Sequence, residues 1–244
     1  MRPYLWIKRV VDIILALCLL ILLAPLFAVV ALLIRADSPG PVIFKQERVG
    51  KDEKLFRVYK FRTMVETAPA SVATSELKNA PRYITRMGRV LRKSSIDELP
   101  QLINILRGEM SLIGPRPLVP QETEIHQRRS ELGAYAVLPG ITGWAQVNGR
   151  DCVDPQTKAA LDAYYACHVS PFLDIKVLAY SVLCVVTARG IKEGGGNPED
   201  VPEEVPLCKE PPLQEAEENE LKIRLRSGLK SGHNSKRKPP AAGA

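Results

Sequence analysis

Ile13-Ile-Leu-Ala-Leu-Cys-Leu-Leu-Ile-Leu-Leu-Ala-Pro-Leu-Phe-Ala-Val-Val-Ala-Leu-Leu-Ile34 runs for 22 residues without a charge, interrupted only by Pro25. As one straight helix it would reach about 33 Å, enough to cross a hydrocarbon layer of ~30 Å. A cleaved signal peptide is not expected, because the run is too long and leads directly into Arg35 and Asp37. Pro25 removes a backbone donor near the middle and bends the helix. Two readings follow: a kinked spanning helix, or two half-helices of 12 and 9 residues that enter one leaflet and return. Lys8 and Arg9 precede the run and Arg35 follows it, so the positive-inside rule draws both ends to the cytoplasmic side. These flanks leave both readings open. Asp12 is tolerable only near headgroups, with Lys8 or Arg9 as the expected partner.

Beyond Asp37 the texture becomes that of an α-rich α/β domain. Val42-Ile-Phe44 and the alternating Leu55-Phe-Arg-Val-Tyr-Lys-Phe61 predict a hairpin around Gly50. Thr67 to Pro81 reads as a mobile loop. Arg82, Arg86, Arg89 and Lys93 recur at helical spacing and predict a basic stripe. Leu99 to Leu106 predicts a helix stopped near Gly108, and Thr157 to His168 another. Phe172 to Ala188 is apolar but short for a span, which suits a core or membrane-surface helix. The expected organisation is therefore a membrane anchor over residues 1–36, a catalytic domain over 37–196, and a charged, disordered tail over 197–244.

The net charge of +7 sits on the body: the tail holds nine acids and eight bases, leaving +8 on residues 1–196. Such a surplus suits anionic lipid or a polyanionic substrate. A nucleic-acid partner is disfavoured by the apolar run and the lack of a binding module. Five scattered cysteines with no C-x-x-C predict free thiols rather than a disulfide framework or zinc site. G-x-G-x-x-G, P-loop and G-x-S-x-G motifs are absent. His126 and His168 read as packing or surface residues.

The remaining chemistry is concentrated between Leu91 and Pro117. Ser95-x-x-Glu98 has the pattern of a capping box, and Asp97 and Glu98 are acids suited to a first helical turn. The same acid pair, set among arginines, can instead hold a divalent metal and meet phosphates, and an aspartate can accept a phosphoryl group covalently.

Ser95-Ile-Asp-Glu-Leu-Pro-Gln-Leu102 and Ser111-Leu-Ile-Gly-Pro-Arg-Pro117 resemble the signature of the bacterial sugar transferases, the small monotopic phosphoglycosyl transferases. So do Lys60-Phe-Arg-Thr-Met64 and Pro139-Gly-Ile-Thr-Gly-Trp-Ala-Gln-Val-Asn-Gly149. The resemblance covers about residues 5 to 196 and includes the diacetylbacillosamine-phosphate transferases. It implies a re-entrant helix-break-helix anchor, amphipathic interfacial helices, and a catalytic part on the cytoplasmic face of the bacterial inner membrane. It also implies a Mg²⁺-dependent reaction of a UDP-sugar with polyprenyl (undecaprenyl) phosphate, with downstream glycosyltransferases as candidate partners.

By that resemblance Asp97 is the nucleophile and a metal contact, and Glu98 its catalytic partner. Arg116 is the leading phosphate or nucleotide binder, followed by Arg86, Arg89 and Arg62. An enzyme joining a cytoplasmic nucleotide sugar to a headgroup-level lipid phosphate should lie at that surface, which favours re-entrance. Many relatives carry Ser-Pro at the break where this chain has Ala24-Pro25, and longer ones have extra membrane helices and a further domain, so this chain resembles the minimal form. Arg189-Gly-Ile-Lys-Glu-Gly194 is similar to relatives acting on acetamido sugars, giving an N-acetylated amino sugar as the expected donor. The alternatives are a galactose or glucose phosphate donor, or a non-enzymatic scaffold.

Overall fold

A computed structural model describes residues 3–68, 80–148 and 154–187. Most of the Thr67 to Pro81 loop, the Arg189 to Gly194 motif and the charged tail lie outside the described residues. The apolar run is two helices, α1 (Pro3–Leu22) and α2 (Ala24–Asp37), meeting at Leu23 with a bend of 61°. Pro25 stands in the first turn of α2, where its missing N–H costs nothing. Ala24 in place of serine does not prevent the break. Among the described residues no single helix is long and apolar enough to cross a membrane, but α1 and α2 together, across the bend, have the length and composition to do so.

The hairpin forms as read, with β1 (Ile43–Val49) antiparallel to β2 (Leu55–Phe61) and Gln46 opposite Val58. A helical turn α3 (Ala80–Tyr83) and then α4 (Arg86–Ser94) follow. The basic stripe is thus split, because Thr85 caps α4 by accepting from Gly88 N at 2.9 Å. Gly88 is obligatory for close packing: a Cβ there would stand 2.0 Å from the Thr63 carbonyl oxygen. The Asp37 carboxylate also accepts from Met87 N at 2.9 Å, tying the end of α2 to the start of α4.

Helix α5 (Gln101–Arg107) stops at Gly108, which is left-handed at φ 85°. Strand β3 (Ser111–Ile113) pairs in parallel with β4 (Gly140–Thr142), bringing distant segments together. Between them lies α6 (Thr123–Glu131), and beyond them α7 (Trp144–Val147), α8 (Pro155–His168) and α9 (Pro171–Thr187). Asp154 caps α8 through Gln156 N and Thr157 N, ahead of Pro155. Helix α9 leaves Phe172, Ile175 and Val182 exposed.

Helix α1 is packed into the body as well as flanking it. Ala16 joins Val58, Leu102, Ile105 and Met110 in one buried cluster, while Tyr4 and Leu5 reach another around Tyr165 and Val177. Asp12 does not pair with Lys8 or Arg9. It accepts from Ser111 Oγ at 2.6 Å and Leu112 N at 3.3 Å, because the body supplies closer, fixed donors. Lys8 meets Asp174 at 2.9 Å instead, and Arg9 donates to the carbonyls of Ile105 and Met110. Cys18 and Cys184 are free, as expected, but Cys167 is disulfide-bonded. Sequence spacing reports no proximity created by folding, so this bond had no visible signal. His126 packs between the Tyr135 hydroxyl and the Val119 carbonyl.

Candidate active site

Ser95 ends α4 in the left-handed region (φ 56°), and Ile96 to Glu98 follow as one 3-10 turn. The capping box is not made: the Ser95 side chain caps nothing. Glu98 has stronger partners than a backbone N–H, since charge-assisted bonds to two cations are available. Lys60 Nζ donates to Glu98 Oε1 at 2.8 Å, and Arg116 donates to Oε1 at 2.8 Å and Oε2 at 3.4 Å. Lys60 comes from β2 and Arg116 from the turn after β3, so three distant segments converge on one carboxylate. Burial alone would raise the Glu98 carboxyl, but the charges and hydrogen bonds of Arg116 and Lys60 outweigh it and hold the group far below the usual carboxylate range.

Asp97, one residue earlier, is treated oppositely. It is half-buried and makes no hydrogen bond or ion pair with the described residues. Burial, with the adjacent Glu98 charge adding, pushes its carboxyl up to about 6 against the attraction of Lys60, Arg92 and Arg116. Beside the pair opens a small cleft lined by Arg48, Val58, Lys60, Gln101, Arg116 and Pro117. Arg48 reaches it from β1, donating to the Pro117 carbonyl at 3.2 Å and Gln46 Oε1 at 2.6 Å. Burial first and then Arg116 lower its guanidinium to about 10, so it stays charged at neutral pH. Burial likewise lowers Lys60 despite Glu98. Three cations, Arg48, Lys60 and Arg116, thus line one small opening and give it a positive potential.

Residues 3–188 match the family described as bacterial sugar transferase. The chain belongs to that family. It is 41% identical over 196 residues to the UDP-N-acetylgalactosamine-undecaprenyl-phosphate N-acetylgalactosaminephosphotransferase of Aeromonas hydrophila, covering 78% of this chain and 46% of that protein. It is 44% identical to the undecaprenyl-phosphate glucose phosphotransferase of Komagataeibacter xylinus, over 75% of this chain and 36% of the relative. The sugar transferase EpsL of Bacillus subtilis (strain 168), whose name calls it uncharacterized, is 40% identical over 77% of this chain and 91% of its own length. The chain thus spans less than half of the first two relatives and nearly all of the third.

Within this bacterial sugar transferase the expected site residues divide. Arg116 stands with Glu98, whereas Arg62 is buried and donates to the Ser38 carbonyl at 2.7 Å and Ser38 Oγ at 3.0 Å. Arg86 and Arg89 are exposed at the first turns of α4. Their charges act on Asp37, whose carboxyl is lowered chiefly by the Met87 N–H and the Thr85 hydroxyl. The structure therefore assembles one of the four arginines with the acid pair and places three about the other end of α4.

Arg48, Lys60 and Arg92 are functional candidates that sequence reading did not single out. Phe56, Val58 and Lys60 share one strand face, and Val58 is 1% exposed, so a lysine on the inward face was the available signal. Arg92 donates from Nε to Thr63 Oγ1 at 2.9 Å while its charge reaches Asp97.

A group of three or more acids, histidines and cysteines suited to a metal is absent among the described residues. Mg²⁺, however, is commonly held by one or two carboxylates together with waters and substrate phosphates. Asp97, a carboxylate with no competing hydrogen bond, fits that donor requirement; Glu98 is already committed to two cations.

Proposed function

We propose that this chain transfers a sugar-1-phosphate from a UDP-sugar to undecaprenyl phosphate, with Asp97 as the nucleophile. The observation that carries this reading is the contrast within one dipeptide: Glu98 clamps the cations that line the cleft, and Asp97 beside it is left unbonded. In the first half-reaction an Asp97 carboxylate oxygen bonds to the β-phosphorus as the bond from that phosphorus to the oxygen bridging the α-phosphate breaks. UMP leaves and a sugar-phosphoryl aspartate remains. In the second, an oxygen of the lipid phosphate bonds to the same phosphorus, the acyl-phosphate bond breaks, and Asp97 is regenerated.

Arg48, Lys60 and Arg116 offset the negative charge where two anions must meet. Glu98, held ionised by Arg116 and Lys60, orients both cations toward the cleft. Asp97 is the residue to hold Mg²⁺, which when bound supplies further neutralisation of the phosphates. Asp97→Asn, assayed in membranes containing undecaprenyl phosphate, is expected to lose UMP release; full activity would sink Asp97 as the nucleophile, and a non-enzymatic scaffold would be favoured only if the unaltered chain turned over no nucleotide sugar.

The bent α1–α2 pair is read as a re-entrant anchor at the cytoplasmic face of the inner membrane, with the exposed apolar side of α9 resting on the same surface. Both ends of the pair are tied to one body, through Lys8 to Asp174 and Asp37 to Met87, which supports return to the side of entry. Labelling of a cysteine at residue 2 from the periplasm would overturn it.

The donor is read as an N-acetylated amino sugar, in line with the name of the Aeromonas hydrophila relative. The Komagataeibacter xylinus relative favours a hexose as the second reading. UMP release across UDP-N-acetylgalactosamine, UDP-N-acetylglucosamine, UDP-glucose and UDP-galactose decides between them.

A further inference from the structure

Arg129 of α6 is among the largest fully buried side chains, and it pairs with Asp162 of α8; each side chain is 1% exposed. Nη2 is committed to Asp162, Nη1 donates to the main-chain carbonyl of Arg116 at 2.9 Å, and Nε makes no hydrogen bond. Removing two ions from water costs several kcal/mol each, and well-packed apolar residues are often equally stable. Helices α6 and α8 already meet through Ile125 and Ala159, which share a buried cluster with Leu118. The ion pair therefore adds something that the apolar contact does not.

What it adds is a fixed point for the Pro115-Arg116-Pro117 turn. Prolines on both sides of Arg116 carry no N–H, and their carbonyls are held from elsewhere, Pro115 by Gly140 N at 2.9 Å and Pro117 by Arg48 at 3.2 Å. The Arg129 fork, locked on Asp162, holds the carbonyl of Arg116 itself.

We infer that Arg129 and Asp162 are positioning residues that set the Arg116 main chain so that its guanidinium reaches both Glu98 and the phosphate cleft. The inference rests on the nucleotide-sugar reading of that cleft. Lys158, on the same helix, also faces Asp162 with its charge, so neutralising Asp162 leaves two cations opposed and frees the fork.

A double-mutant cycle on the full chain in lipid nanodiscs tests this, with UDP binding measured by calorimetry and UMP release measured alongside. Asp162→Asn is expected to weaken UDP binding about tenfold, within the coupling range of contacting residues. In an Arg116→Ala background it should add nothing, because its effect passes through Arg116. Asp162→Glu should restore most of the affinity.

Unchanged UDP binding in Asp162→Asn, or losses that multiply in the double variant, overturns the inference. Should Asp162→Asn fail to fold, Arg129→Lys keeps the charge and loses the fork; it should weaken UDP binding similarly, and normal binding there overturns the inference as well. Should the unaltered chain neither bind UDP nor release UMP from any UDP-sugar, the nucleotide-sugar reading itself falls, whereas normal UDP binding by Arg116→Ala overturns only this inference.

Discussion

The seam between α1 and the body and the cluster around Asp97 both bury acids among cations and hydroxyls, yet they are built to different ends. In the seam the acids are saturated. Asp174 accepts from Tyr4 and Tyr165 hydroxyls at 2.6 Å each and from Lys8 at 2.9 Å, and Asp12 takes two donors from β3. At the cluster, Glu98 is saturated by Lys60 and Arg116 while Asp97 has cations nearby and no bond to any of them. A carboxylate with every lone pair engaged holds elements together. One kept partly desolvated, with its neighbouring cations bonded elsewhere, contributes no such tie and costs stability that the saturated sites offset.

The largest break in this comparison should come from the seam. Asp174→Ala leaves Lys8 and two tyrosine hydroxyls without their acceptor and is expected to cost about 3–5 kcal/mol, measured by denaturation in detergent. Glu98→Gln should lower UMP release by roughly 100-fold, because Lys60 and Arg116 lose the charge that orients them. It should also lower stability above pH ~4.5, where an ionised Glu98 contributes; that contribution is present above the unfolded pKa and fades as pH falls toward the depressed folded value.

For Asp97 the sign is reversed. With its carboxyl raised to about 6, protonation removes the nucleophile, so the rate of UMP release should fall about tenfold per unit as pH drops below 6. A profile flat down to pH 4.5 would contradict the unsaturated state of Asp97. The same elevation means that ionised Asp97 opposes folding at neutral pH. Asp97→Asn should therefore melt higher by roughly 2–4 °C while being inactive, a modest gain whose absence would erase the contrast with Glu98.

Local signals carried much of this fold. Pro25 marked the break, Gly50 the hairpin and Gly108 the helix stop, because each acts through the conformation of its own neighbours. The parallel pairing of Ser111 with Gly140, and the Asp12 bonds to Ser111 and Leu112, join segments far apart in sequence and leave no periodic trace. Ser95-x-x-Glu98 was misread for the opposite reason: the pattern suits a helix start, but cations from two other segments claim the glutamate. Asp97, Glu98 and Arg116 were legible through family resemblance. Arg48 was hidden in a strand whose alternation reads as ordinary patterning until the buried face is known, and Lys60 opened a family-like motif in which only Arg62 was given a role.

Helix α4 is pinned at its first turn to Asp37 at the end of α2, and it delivers the chain through Ser95 to Asp97 at its last. It works as a spacer of fixed length. Nine residues at about 1.5 Å each set the reach from the tip of α2 to the acid pair at roughly 14 Å. One residue inserted into α4 would turn Asp97 by about 100° and lift it by about 1.5 Å, leaving every side chain of the site present but aimed elsewhere. Length and phase of this short strut thus set where the acid pair points as much as the residues of the pair themselves.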